Sequence, residues 1–204
     1  VLERHGGDVL WHVEAGAWLG WDGQRWRRDD VLGVEHLAVA VALERAEALQ
    51  RELDAMDEEA QKEYGEAWEI RIQWWRRRTN AAALANGLRC LRKHLVVRAE
   101  ALDSNPWILN AQNGTVDLHT GELRPHSRAD RCTKICACAY VRERPEEPTE
   151  WDGFLGRILP DVEVRDFLAR WAGVAAVGRV IEHVLLIAYG EGANGKSTLF
   201  ETLE

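Results

Sequence analysis

Between residues 183 and 197 the chain reads His183-Val184-Leu185-Leu186-Ile187-Ala188-Tyr189 and then Gly190-Glu191-Gly192-Ala193-Asn194-Gly195-Lys196-Ser197. A short apolar run of this kind suits a strand buried on both faces of a parallel sheet. A Gly-x-x-x-x-Gly-Lys-Ser stretch at its end turns the backbone sharply and opens a helix, so the pair predicts a strand–loop–helix unit. Glycines are needed because side chains there would block the inward N–H groups that cradle phosphate oxygens. Lys196 supplies a point charge for β- and γ-phosphates, and the Ser197 hydroxyl can ligate Mg²⁺. A helix beginning near Thr198 would aim its positive end at the same anion. With Gly near 7% of residues, chance produces the pattern in roughly one chain of this length in a hundred. The strand before it and the helix after it reduce that further. The candidate nucleotide-binding residues are therefore Gly190, Glu191, Gly192, Ala193, Asn194, Gly195, Lys196, Ser197 and Thr198. Lys196 is the candidate catalytic cation, Ser197 the candidate metal ligand, and ATP with Mg²⁺ the implied cofactors.

Seven residues follow Ser197. A nucleoside triphosphatase also needs an acidic strand end for Mg²⁺, a residue orienting water, and an arginine. These normally lie downstream, so the expectation is a fragment carrying half a nucleotide site. The start at Val1, without an initiator Met, suggests a cut or processed N-terminus.

Upstream, Trp11 to Trp26 reads as short strands. Asp22-Gly23, between Trp18-Leu19-Gly20-Trp21 and Gln24-Arg25-Trp26, is a two-residue hairpin signal that needs positive φ. From Val34 to Leu95 the pattern turns helical, with Leu37, Val41, Ala48, Leu49 and Leu53 at steps of three and four. Two or three helices are expected, with breaks at Gly65 and at Thr79-Asn80, where Asn80 is a fair N-cap. Strands return after Asn105-Pro106, with turns at Asn113-Gly114 and Thr120-Gly121, and Arg131 to Val141 reads as a further strand. The proline-bounded stretch Arg144-Pro145-Glu146-Glu147-Pro148 is the expected domain boundary. Two short helices, Trp151 to Leu159 and Val162 to Trp171, follow it. The fold class is thus α/β: a mixed α+β domain over residues 1–148, then the truncated start of a P-loop, AAA+-like NTPase domain over 149–204.

The 204 residues are 46% hydrophobic and 29% charged, which excludes a disordered chain. No run approaches the ~18 apolar residues of a membrane helix, so no membrane partner is expected. The net charge of −8 argues against a uniformly basic nucleic-acid binder but not against a local track. Val41 to Glu69 carries ten acids and three bases, whereas Ile70 to Arg98 carries eight bases and no acid. On a helix Arg71, Trp74 and Arg78 share a stripe, the basic-plus-aromatic mix that suits a single nucleic-acid strand. An acidic helix packed on a basic one, or a contact between ring subunits, explains the same charges and is favoured over DNA contact.

Cys132, Cys136 and Cys138 lack the spacing of a disulfide framework or a zinc pair, and small buried hydrophobes account for them better. Reduced thiols make the cytoplasm the expected compartment. Asp117 and His119 share a strand face and are assigned to hydrogen bonds that hold their turns. Trp151, Phe154 and Leu155, with Leu168 and Trp171, are assigned to helix cores.

Pro106-Trp107-Ile108-Leu109-Asn110-Ala111-Gln112-Asn113-Gly114-Thr115-Val116-Asp117-Leu118, then Thr120-Gly121-Glu122-Leu123-Arg124-Pro125, resembles the phage and plasmid primase–helicase family. More narrowly it is similar to the poxvirus-type primase–helicase N-terminal-like domain that precedes a superfamily-three helicase. Trp18 to Gly23, the helical stretch, Trp151-Asp152-Gly153-Phe154-Leu155 and Gly192 to Thr198 stand in the family's order. The resemblance implies an ATP-dependent replicative DNA helicase of a phage, plasmid or prophage. Its implied partners are single-stranded or forked DNA and its own copies in a ring, six in number. It places Lys196 against ATP phosphates, and Ser197 with Thr198 at the Mg²⁺ site. No primase domain is recognisable in this chain.

Two further readings remain open. One is a non-catalytic module for oligomerisation or single-stranded-DNA binding. The other, disfavoured because about 180 residues precede the loop, is an unrelated P-loop kinase or transporter ATPase.

Overall fold

The computed structural model describes residues 2–143, 145–190, 192 and 194–203, Leu2 by its backbone alone. They form two compact units. The first runs to Leu102 and takes back residues 131–133, and the second comprises 103–130 and 134 onward. The proline-bounded linker thus lies inside the second unit.

The first unit pairs a small sheet with three helices. After a single turn, α1 (Leu2–His5), come β1 (Val9–His12), β2 (Ala17–Trp21) and β3 (Trp26–Arg28). With β4 (Val96–Val97) they order as β3-β2-β1-β4, antiparallel except for β1 on β4. The Trp-rich hairpin is present, but its loop has four residues, Asp22 to Arg25, because Trp21 pairs with Trp26. Gly23 takes the positive φ of 100° expected of it. Asp22 Oδ1 accepts from the N–H groups of Gln24 (2.9 Å) and Arg25 (2.8 Å), which stabilises the longer turn. Trp18 and Trp26 are buried, so the tryptophans fill the core on this sheet.

The helical stretch divides into α2 (Gly33–Asp54), α3 (Glu58–Arg77) and α4 (Ala81–Arg92). Asp29 receives Gly33 N–H and Val34 N–H, both at 2.8 Å, and so satisfies donors at the start of α2. Asp57 caps α3 through Ala60 N–H at 2.8 Å. Asn80 caps α4 through Ala83 N–H at 2.9 Å, as expected. The predicted break at Gly65 is displaced. Gly65 lies inside α3, and the chain turns at residues 55–57, where Asp57 supplies a cap that Gly65 cannot. α2 and α3 form an antiparallel hairpin closed by Ala46, Leu49 and Ile72, with Leu53, Trp68 and Trp75 packed around them. The other cores join Val9, Trp18 and Val34 to Leu88, Leu91 and Leu95, and Leu19 and Trp26 to Val97.

In the second unit β5 (Ile108–Ala111), β6 (Gly114–Asp117) and β7 (Leu123–Arg124) make an antiparallel meander. Asp117 Oδ1 accepts from His119 N–H (2.8 Å) and Thr120 N–H (3.2 Å), the turn-holding role assigned to it. His119 also stacks on Trp107, 4.2 Å between ring centres. Residues 131–141 are not the regular strand expected. They meet β5 only at separated points, Cys136 N–H to Asn110 O (2.8 Å) and Gln112 N–H to Cys138 O (3.1 Å), and side chains complete the pairing. Asn113 is the clearest case: its amide bridges both backbone groups of Tyr140. Nor are the three cysteines uniformly buried. Cys132 is buried, whereas Cys138 is exposed.

α5 (Glu150–Ile158) starts with a capping box between Thr149 and Asp152, and α6 (Val162–Ala175) follows. The run 183–189 has no regular secondary structure and joins no sheet. Leu185 is 83% exposed and Tyr189 93%. Residues of α6 and of the last helix, α7 (Lys196–Leu203), line a cavity with Leu186 to Tyr189, but a parallel strand needs a hydrogen-bonded strand beside it, and among the described residues no strand pairs with this run. The described residues are therefore mixed α+β. α7 begins two residues earlier than expected.

Candidate functional site

The glycine loop bends as its sequence demands. Gly190 has φ 153° and Gly195 φ 80°, values in the region that side chains disfavour. A Cβ on Gly190 would collide with the Asn194 amide nitrogen, and one on Gly195 would stand 2.8 Å from Ile158 Cγ2. The first turn of α7 closes through Leu199 N–H on Gly195 O at 3.0 Å. Leu199 is buried and seats the helix. Lys196, the first residue of α7, donates its ammonium to Gly190 O (3.0 Å) and Asn194 Oδ1 (2.7 Å), spanning the loop from end to end.

The loop encloses one side of an open cavity of about 900 Å³. Gly192, Asn194, Gly195, Lys196, Ser197 and Thr198 line it, so six of the nine sequence-selected positions and Gly190's hydrogen bond converge here. Glu191 and Ala193 lie outside the described residues. Phe154, Arg157 and Ile158 of α5 line the same cavity and were not selected from sequence. Their spacing of three and four places them on one helical face, which is a visible signal. That this face meets the loop is not written in the spacing. The chemistry of the set fits an anion: two cations, two hydroxyls, backbone turned by glycines and no carboxylate among the described lining residues.

The basic stripe resolves into two stacked pairs. The Arg78 guanidinium lies over the Trp74 ring at 4.0 Å, but Arg71 lies over Trp68 at 5.0 Å instead of joining Trp74. Trp68 is one turn before Arg71 on the same face, and so competes for it. Trp74, 48% exposed, also packs edge-on against Trp75 and borders an apolar groove of about 430 Å³ floored by Ala42, Leu84 and Leu88. The charge division runs along α3 itself. Its acidic first half lies beside the end of α2 at the hairpin turn, and its basic last turns lead into α4.

Burial, with Cys138 adding to it, pushes the Cys136 thiol up. The Glu14 carboxyl is held below its ordinary value, chiefly by a hydrogen bond from its own backbone N–H, with Ala99 N–H assisting at 3.1 Å. No group of His, Cys, Asp and Glu able to hold a metal occurs among the described residues. No helix among them is long and apolar enough to cross a membrane.

Comparison with known proteins agrees with the resemblance. A protein of Acanthamoeba polyphaga mimivirus named as a helicase, L207/L206, is 31% identical over 106 residues, 50% of this chain and 11% of that protein. A second, 121R of Invertebrate iridescent virus 3, also named as a helicase, is 30% identical over 111 residues, 52% of this chain and 12% of that protein. The chain thus aligns with about one-ninth of the length of these relatives. The profile of the family described as D5 N-terminal-like matches residues 1–160, which includes both the Trp-rich hairpin and the β5–β7 meander. The chain belongs to the D5 N-terminal-like family.

Proposed function

We propose that this chain is part of an ATP-dependent replicative DNA helicase, carrying the family domain and the ATP-binding loop that follows it. The observation that carries the reading is the loop from Gly190 to Lys196: two glycines in side-chain-excluding conformations and a lysine bonded across them at the start of a helix. In this reading Lys196 and the loop N–H groups hold the phosphates of ATP, and Ser197 with Thr198 holds Mg²⁺. ATP supplies the free energy of phosphoryl transfer when bound, and the chain's own residues bind and orient it. Lys196 exchanges its two loop acceptors for phosphate oxygens, and the start of α7 faces the same anion. The helicase names of the two viral relatives support a nucleic-acid substrate, and DNA under replication is the substrate proposed. A ring of six copies, an origin in a phage, plasmid or prophage, and a cytoplasmic site of action belong to the same proposal.

Titration of the chain with a fluorescent ATP analogue in Mg²⁺ tests the loop. Micromolar binding that Lys196→Ala weakens by at least tenfold is expected, and equal binding by the two chains overturns the assignment. In the longer protein the same substitution is expected to abolish DNA-stimulated ATP hydrolysis.

A second reading is favoured by the Arg78–Trp74 stack beside an apolar groove: the first unit contacts single-stranded DNA or a neighbouring subunit without any ATPase activity. Anisotropy of a labelled oligothymidine separates the two partners. Loss of binding in Trp74→Ala and Arg78→Ala supports DNA, whereas unchanged binding with a fall in light-scattering mass supports the subunit contact.

A further inference from the structure

The cavity at the glycine loop has a wall that the loop motif does not provide. α5 turns Phe154, Arg157 and Ile158 toward it. Two of these hold the loop in place. A Cβ at Gly195 would stand 2.8 Å from Ile158 Cγ2 and 3.2 Å from Phe154 Cε2, so the face of α5 packs directly on the residue before Lys196. The third is the cation Arg157, in the last turn of α5 and exposed to the cavity. Its Cα is placed beside the loop by Phe154 and Ile158, the residues before and after it on α5 that pack on Gly195.

Arg157 has no carboxylate partner among the described residues. The nearby Arg165 is committed otherwise, donating to Leu159 O (2.7 Å) and Pro160 O (3.0 Å). Lys196 and Arg157 are thus the two cations on the described lining, one from α7 and one from α5. They differ in kind. The ammonium is a point charge, whereas the guanidinium is a planar fork that takes two phosphate oxygens at once. Two cations brought by separate helices suit a ligand whose negative charge is spread along its length.

We propose that Arg157 is a second phosphate-binding cation of this site and that it makes the site select polyphosphates over monophosphates. The proposal rests on the nucleotide reading of the loop. It adds a residue from outside the motif and names the ligand feature that residue recognises.

The test measures displacement of fluorescent ATP by inorganic tripolyphosphate and by AMP, on the unaltered chain and on Lys196→Ala, Arg157→Gln and Arg157→Lys. Loss of charge-assisted bonds predicts that Arg157→Gln weakens tripolyphosphate about 10- to 100-fold. AMP is expected to be little affected, and Arg157→Lys to recover part of the loss. Superimposable thermal melts establish that the substituted chains are folded, as an exposed side chain predicts. If Lys196→Ala loses tripolyphosphate while Arg157→Gln binds it normally, the Arg157 assignment is overturned and the loop reading stands. Equal losses for AMP and tripolyphosphate overturn the selectivity. Failure of the unaltered chain to bind either ATP or tripolyphosphate overturns the loop reading, and this proposal with it.

Discussion

At the scale of single residues, Gly114 and Gly195 meet packed neighbours on elements other than their own. A Cβ at Gly114 would fall on the Arg124 carbonyl and 2.9 Å from Leu123 Cδ1, at φ 152°. Gly114→Ala should therefore cost on the order of 1–3 kcal/mol, read as a lower denaturant midpoint, because β6 cannot keep its register with β7. At Gly195 the same change pushes against Ile158 and Phe154. It should displace α5 from the loop and weaken tripolyphosphate binding while leaving the first unit's melting unchanged. The cysteines offer a chemical check. Burial raises the Cys136 thiol, so at pH 8 it holds less thiolate than an ordinary cysteine. Timed alkylation followed by mass spectrometry should modify exposed Cys90 and Cys138 first, then Cys136, with buried Cys132 last. The sign for stability follows from linkage. The unfolded chain loses the Cys136 proton at lower pH than the folded one, so this contribution declines as pH rises above the ordinary thiol value.

At the scale of elements, local chemistry and tertiary context divide the credit. Asn80 caps α4 through one short-range hydrogen bond, and its replacement by Ala should cost about 1 kcal/mol in chemical denaturation. Gly65 shows the limit of a breaker rule. A glycine inside a helix costs about 1 kcal/mol, too little to end a helix whose following turns bury Ile72 and pack Trp68 and Trp75 against α2. The 183–189 run has strand composition and no strand partners. Amide exchange should consequently be fast across Leu185 to Ala188 in this chain, and strong protection there would show a ladder that the described residues lack. The stretch 131–141 misses regular pairing for another reason: it is held to β5 by Asn110, Gln112 and Asn113 side chains as much as by backbone.

At the scale of the whole molecule, the first unit is not contiguous in sequence. Trp26 N–H donates to Cys132 O at 2.8 Å, so residues 131–133 finish the outer edge of β3 after the chain has built the β5–β7 meander. A chain ending at Leu102 would leave that donor, and the buried face beside Cys132, without cover. It should melt below the first unit of the full chain, by an amount of order 1–3 kcal/mol for one stranded buried group. The family match over residues 1–160 likewise runs through both units.

What the residues alone determined is whatever acts within a few positions: the Trp-rich hairpin with Gly23 at positive φ, the Asn80 cap, the Asp117 turn and the bend of the glycine loop. These follow from the φ preferences and short hydrogen bonds of neighbouring residues, so they are legible in order of sequence. The family, too, was legible, from the 106–125 segment together with the Trp-rich hairpin and the segments that follow in the family's order, and the family profile spans residues 1–160. Tertiary structure decided the rest. It gave Arg71 to Trp68, brought residues 131–133 back to β3, left 183–189 unpaired, and turned Arg157 into the cavity at Lys196. Each of these depends on which distant surface an element meets, and pairing and burial energies between distant segments leave no fixed spacing in the sequence.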